Sequence, residues 1–329
     1  MTTALERTVT LASGISMPVV GFGTFQCDEA AIVAALRAGY RHLDTAYSYE
    51  TEEAVGNAIR KSGIPRKDIF ITTKLHQTFH APEDVPEQLK RSLDRLGFEG
   101  EDRYVDLWLM HSDRISYGTA RRTDPGSEGK PVIDYALSRN YLETYKAMEK
   151  LVGTGPNKVR AIGLSNFNVL KTKKILEGCT IKPSVNQIEL HPYLPQRELL
   201  KFSNEHGVHI TAHSPLGGAP VGVVAPYAGI KEGPLKDPLV ASLAEKYKVE
   251  PSTILLSWAL QRGTSIVPKS TKLDRIVLNT KIIELSQEDF DKVEWLKADG
   301  EELRFNDPKG HIRFDIYDEK NDEPVGDDY

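Results

Sequence analysis

Gly21-Phe22-Gly23-Thr24-Phe25-Gln26 is the stretch at which two α/β folds part company. A doubly wound open sheet carries a Gly-x-Gly-x-x-Gly turn after its first strand and passes directly into a helix, so that the backbone can approach a pyrophosphate. Here Gln26 stands where the third glycine belongs, and no helix follows at once. Gly153-Thr154-Gly155 comes after a helical pattern and reads as a C-terminal cap and turn. A cofactor, if one is bound, is not held in the Rossmann manner.

Outward from Gly21 the chain alternates short β-branched or apolar runs with helical patterns. The strand candidates are Pro18 to Gly23, Tyr40 to Asp44, Ile69 to Lys74, Tyr104 to Met110, Val159 to Leu164, Ser184 to Glu189, Val208 to Ala212 and Ser265 to Pro268. Amphipathic segments lie between them, among them Asp28 to Ala38, Thr51 to Lys61, Glu83 to Leu96, Asn140 to Leu151 and Asp237 to Tyr247. Gly39, Gly63, Gly97 and Gly207 fall just past a last helical turn, where a left-handed residue ends a helix. Strands separated by helical crossovers run parallel, and eight such units without a break in composition predict a (β/α)8 TIM barrel in one domain.

Three segments depart from the repeat. Thr8 to Pro18 reads as a hairpin turning at Ser13-Gly14. Residues 113–134 form a long polar insertion after the fourth strand, with Arg114, Arg121 and Arg122. The stretch 298–329 is rich in Asp and Glu and contains Arg304 and Arg313. Loops beyond about 12 to 15 residues are usually functional or disordered, and a barrel builds its site from the loops after its strands.

Composition narrows the function. The 329 residues are 40% hydrophobic and 27% charged with a formal net charge of -5, an ordinary globular balance. A near-neutral chain lacks the basic footprint of a nucleic-acid binder. No apolar stretch approaches the roughly 20 residues that span a bilayer, and Met1 to Thr10 lacks a signal-peptide core. With only Cys27 and Cys179 and no Asn-x-Ser/Thr acceptor, a cytosolic protein is expected. No metal site is expected either, since His76-Gln77-Thr78-Phe79-His80 lacks the glutamate of a zincin and Pro82 argues against a helix there.

Polar residues at strand ends converge on one pocket in a barrel. Here they are Asp44 followed by Tyr49, then Lys74, His111, Ser165 and Asn166, Gln187, His213 and Ser214, and finally Lys269 and Ser270. An acid, a phenol, an amine and an imidazole at one spot suit proton transfer near a carbonyl oxygen. Singly, each has a plainer reading: Asp44 or Lys74 as half of a structural ion pair, His111 as a satisfied core histidine.

Gly39-Tyr40-Arg41-His42-Leu43-Asp44-Thr45-Ala46, Gly163-Leu164-Ser165-Asn166-Phe167, Asn186-Gln187-Ile188-Glu189-Leu190-His191-Pro192-Tyr193 and Ile266-Val267-Pro268-Lys269-Ser270 closely resemble signature segments of the aldo-keto reductases, in family order. The likeness runs from about Val9 to Lys297, and within the family the chain resembles the fungal aldose and D-galacturonate (uronate) reductases. It implies a catalytic tetrad of Asp44, Tyr49, Lys74 and His111, with Tyr49 as general acid toward a carbonyl that receives hydride. A free phenol has a pKa of about 10, so the site is expected to depress it, with Lys74 favouring the phenolate and Asp44 keeping Lys74 charged. His111 would position the substrate oxygen as a neutral donor.

The same resemblance implies NADPH as the cofactor, with NADH the weaker alternative. Ser165, Asn166 and Gln187 would hydrogen-bond the nicotinamide carboxamide, and Thr24, His213, Ser214 and Leu216 would also contact the cofactor. Lys269, Ser270 and Arg275 at the start of the last barrel helix would grip the 2′-phosphate, and Asn279 the adenine. Two positions depart from the family: His213 stands where a stacking Tyr is usual, and Leu278 where an acidic residue commonly precedes the adenine-contacting Asn.

Phe25, His76 and Ser112 occupy positions where the mammalian aldose-reductase branch carries tryptophans. Smaller and mostly more polar groups favour a hydroxylated substrate. Arg114, or another of the insertion and tail arginines, is a candidate partner for a substrate carboxylate. The expected reaction is reduction of a sugar aldehyde, with D-galacturonate as the sharper choice. Xylose, arabinose, glyceraldehyde or, in reverse, glycerol are the alternatives, and a non-catalytic NADP-binding subunit is the alternative of another class. A monomer is expected, a dimer less so.

Overall fold

Helical crossovers separate the apolar runs, and the strands accordingly pair parallel and in sequence order. The computed structural model describes residues 4–111, 134–218, 233–297, 302–307 and Tyr317. Two short antiparallel strands, β1 (Thr8–Thr10) and β2 (Ser16–Pro18), come first. The eight barrel strands follow: β3 (Phe22–Gly23), β4 (His42–Asp44), β5 (Phe70–Leu75), β6 (Tyr104–His111), β7 (Lys158–Ser165), β8 (Val185–Glu189), β9 (His209–His213) and β10 (Ser265–Ile266). A parallel bridge from Val20 to Ile266 joins the two ends of this series. Three backbone hydrogen bonds reinforce it: Gly21 N to Ile266 O at 2.8 Å, Ile266 N to Val19 O at 2.8 Å and Gly23 N to Pro268 O at 3.0 Å. The expected (β/α)8 barrel is the observed fold.

Most strand and helix ends fall within one or two residues of the positions that the periodicity predicts. The exceptions have local causes. Pro18 closes the hairpin opposite Thr8, so the first barrel strand is Phe22–Gly23 and not Pro18 to Gly23. The last strand stops at Ile266, ahead of Pro268, which has no N–H to give a ladder. Gly39, Gly63, Gly97 and Gly207 do take positive φ, at 103°, 71°, 66° and 68°.

Two apolar layers hold the barrel. Leu11 and Met17 of the hairpin pack with Phe70, Leu107, Leu109, Ala161 and Val185, so the hairpin closes the barrel interior at the strand N-termini. The larger layer lies between strands and helices and includes Trp108, Trp258, Tyr40 and Phe22, all essentially inaccessible. Each such side chain is worth about 1.5–3 kcal/mol of burial. Gly163 is required by close approach: a Cβ there would lie 2.4 Å from Val185 O on the adjoining strand. The opposite mouth, at the strand C-termini, is left for polar groups.

Candidate active site

Strand register brings the predicted residues together. Gly23 lies beside Asp44, His111 beside Ser165, Ser165 beside Gln187, and Glu189 beside His213. The C-terminal strand ends therefore form one ring of polar side chains, which is where a barrel carries its chemistry.

Asp44 and Lys74 are the centre of that ring. Lys74 Nζ donates to Asp44 Oδ1 at 2.7 Å and to Thr45 O at 2.9 Å, with both side chains almost wholly buried. Burial pulls the ammonium toward its neutral form, but Asp44 and Tyr49 outweigh it and hold Lys74 above the ordinary lysine range. Asp44 Oδ2 accepts from Gln187 Nε2 at 2.6 Å, so the carboxylate is fixed from two sides.

Tyr49 ends a short 3-10 turn, Tyr47–Tyr49, and Glu50 after it takes a left-handed φ of 58°. The turn lays the Tyr49 ring 4.9 Å from Lys74 Nζ, 5.1 Å from Phe25 and 6.1 Å from His111, centroid to centroid for the two rings. Its acidity differs from the expectation. Burial is the dominant influence and pushes the phenol above its usual range; Lys74 opposes this by charge and hydrogen bond, and Asp44 adds to it. Lys74 does act in the expected direction, yet without a ligand the sum lies on the other side. His111 is held well below the ordinary imidazole range, by burial first and then by Lys74, so its ring is neutral. Its Nδ1 is buried without a hydrogen-bond partner among the described residues.

Around the ring, Thr24 Oγ1 donates to Asp44 O at 3.0 Å and Ser165 is 1% exposed beside Gln187. Asn166 takes a left-handed φ of 62° and accepts from His213 Nε2 at 2.9 Å. His213 is thus tethered edge-on, and burial lowers it to about 4. Ser214 Oγ lies 3.2 Å from His213 Nδ1, and Leu216 packs half-buried against the core. Gln187 differs from the expectation in one respect, since its amide nitrogen already serves Asp44.

Lys269, Ser270, Arg275 and Asn279 gather after β10. The helix there spans only Leu273–Leu278, so Lys269 and Ser270 precede it and do not form its first turn as expected. Ser270 Oγ accepts from Lys272 N at 3.1 Å, and Asn279 caps the helix end, almost fully buried. Lys269, Lys272 and Arg275 are exposed and make no ion pair among the described residues. Three exposed cations after β10 without an ion-pair partner among the described residues fit the anionic part of a dinucleotide.

On the substrate side, Phe25 is 48% exposed at the mouth, and His76 is buried with its Nδ1 accepting from Thr78 N at 3.2 Å. Ser48, Glu50, His76, Thr78 and Arg95, with the rings of Tyr47 and Phe79, line a recess of about 230 Å³ next to Tyr49 in sequence. Ser112 and Arg114 lie outside the described residues, as do Arg121, Arg122 and Arg313. Arg304 is described, and its guanidinium stacks on Tyr317 at 3.6 Å. Arg95 is a cation that local sequence does not single out, for it occupies an ordinary helix-end position. Folding turns it onto the Tyr47 ring at 3.7 Å, where it also donates to Tyr47 O and pairs with the buried Glu52 carboxylate at 3.6 Å. A larger concavity of about 810 Å³ lies elsewhere, over Val33, Ala34, Leu273 and Val277, with Asp28, Arg37 and the Glu29–Lys61 ion pair around it.

Enclosed imidazoles give the molecule a marked pH response. His42, His80, His111, His209 and His213 are all held low chiefly by burial, His80 to about 3 and His209 to about 4. The unfolded chain protonates each near its ordinary value of about 6.5. Below that pH the unfolded state binds more protons, so stability falls with falling pH and is regained above it. We expect unfolding free energy to be flat above about pH 7.5 and to drop by up to about 1.4 kcal/mol per pH unit per histidine below about 6.5. Urea midpoints that do not move between pH 7 and pH 5 would contradict this.

The aldo/keto reductase family model matches residues 21–298. The aldehyde reductase YPR1 of Saccharomyces cerevisiae is 40% identical over 297 residues, covering 87% of this chain and 89% of its own. The glycerol 2-dehydrogenase (NADP(+)) of Hypocrea jecorina is 39% identical over 327 residues, covering 96% and 99%. Among solved structures, the aldose reductase from Schistosoma japonicum superposes with a TM-score of 0.81 at 32% identity, covering 98% of this chain and 100% of its own.

Proposed function

The chain belongs to the aldo/keto reductase family and is an NADP-dependent oxidoreductase, and from that premise we propose that it reduces the aldehyde of a hydroxylated sugar, best a uronate such as D-galacturonate to L-galactonate. The observation that carries the reading is the buried Asp44–Lys74 pair set under the Tyr49 ring, with a neutral His111 facing it.

A bound reduced nicotinamide supplies the hydride. Tyr49 Oη gives its proton to the carbonyl oxygen as charge develops there, and His111 donates a hydrogen bond that fixes the oxygen. Lys74 stabilises the phenolate left on Tyr49, and Asp44 keeps Lys74 charged and aimed. Lys74 opposes the effect of burial on the phenol and lowers the cost of the phenolate as the proton leaves. Ser165, Asn166 and Gln187 would hold the carboxamide, His213 would lie at the nicotinamide ring, Thr24, Ser214 and Leu216 would contact the cofactor, Lys269, Ser270 and Arg275 would hold the 2′-phosphate, and Asn279 the adenine. The unpaired cations there support NADPH over NADH.

Arg95, partly exposed although paired with the buried Glu52 at 3.6 Å, and the hydroxyl-bearing side chains of the recess lined by Tyr47, Ser48 and Thr78 support an acidic sugar over a neutral one. Initial rates with D-galacturonate, xylose, arabinose and glyceraldehyde test this. We expect galacturonate to lead xylose by about tenfold in kcat/KM, and Arg95→Met to erase about that margin, the scale of one charge-assisted hydrogen bond. Equal kcat/KM for galacturonate and xylose in the parent would remove the uronate reading and leave a neutral aldose or glyceraldehyde reductase.

A further inference from the structure

The segment Asn186 to Tyr193 is only half used by the site: Gln187 faces Asp44, but Glu189, His191 and Tyr193 take no part in the tetrad. All three are buried, Glu189 and His191 completely. Glu189 Oε1 accepts from Phe305 N at 2.7 Å, its Oε2 from Asn306 N at 3.0 Å, and His191 Nε2 lies 3.0 Å from Oε1. Tyr193 O accepts from Leu303 N at 2.7 Å. Three backbone amides of residues 302–307 are thus held by one turn after β8. Phe305 is 3% exposed, with its ring 5.1 Å from His191. From the same segment Asn306 Nδ2 donates to Ser214 Oγ at 3.1 Å, next to His213.

An ionised carboxylate is the one side chain that can accept from two backbone N–H groups and an imidazole together, for a glutamine would point an NH2 at a donor. We infer that Glu189 is a positioning residue that pins residues 302–307 against Ser214 and so governs how fast the bound dinucleotide leaves. This rests on the placement of the cofactor beside Ser214 proposed above.

Trypsin and stopped-flow fluorescence test it on the full chain. Glu189→Gln should open the Arg304–Phe305 bond to trypsin, read by mass spectrometry, and raise the NADPH off-rate by about tenfold. Asn306→Ala removes only the link to Ser214, so it should raise the off-rate and leave that bond protected. In the Glu189→Gln background it should add nothing further, because the segment is already detached. A protected bond in Glu189→Gln overturns the anchor. Cleavage with an off-rate within twofold of the parent overturns the coupling to the cofactor. If Glu189→Gln does not fold, an unchanged off-rate in Asn306→Ala overturns the coupling by itself. Should NADPH not bind the parent chain at all, the cofactor placement fails, and the trypsin result still decides the anchor.

Discussion

Tyr49→Phe is expected to lower kcat for aldehyde reduction by about three orders of magnitude, within the range for loss of a positioned general acid, while NADPH affinity changes by less than about threefold. The substitution removes one oxygen and keeps the ring that contacts Phe25 and lies over Lys74, so packing is preserved. The loss should appear in single-turnover rates as well as at steady state. Near-full turnover in Tyr49→Phe would mean that another group delivers the proton, with His111 the nearest alternative. His111 is a poor acid here, since burial and Lys74 hold it neutral.

Lys74→Met is expected to be damaging in two separable ways. Removing one partner leaves Asp44 buried with only the Gln187 amide for company, which destabilises by about 3–5 kcal/mol. It also removes the cation beside the phenolate, so kcat should drop by at least about a hundredfold even where the protein is folded. The double variant Asp44→Leu, Lys74→Met replaces the pair with apolar groups and should regain much of the stability but none of the turnover. Urea unfolding and single-turnover kinetics on the three proteins read the two effects independently. A double variant as active as the parent would exclude any role for the pair in proton transfer.

Much of this was legible before folding. The period-2 and period-3.6 patterns and the glycines past each helix predict the parallel order of the strands, because each position obeys a local steric rule. Asp44, Lys74, His111, Ser165 and Gln187 were legible for a related reason: each sits at a strand end, and a barrel brings strand ends together whatever their separation in sequence. Arg95 and Asn306 were not. Arg95 reaches the recess by stacking on Tyr47, and Asn306 meets Ser214 while its backbone N–H is held by Glu189. Neither contact has a period, and both depend on tertiary approach. The sequence shows the charge beside Tyr49 but not the degree of burial, which without a ligand outweighs Lys74 at the phenol.

The bridge between Val20, just before β3, and Ile266 of β10 closes the sheet at its two shortest strands, which come from opposite ends of the barrel's sequence. Ring closure here carries a high loop entropy and few contacts to offset it, so the seam should form late in folding and open first. Thr24 and Lys269 lie on its two lips. A nucleotide spanning both would act as a clasp, and a chain with an unclosed ring would have no working site.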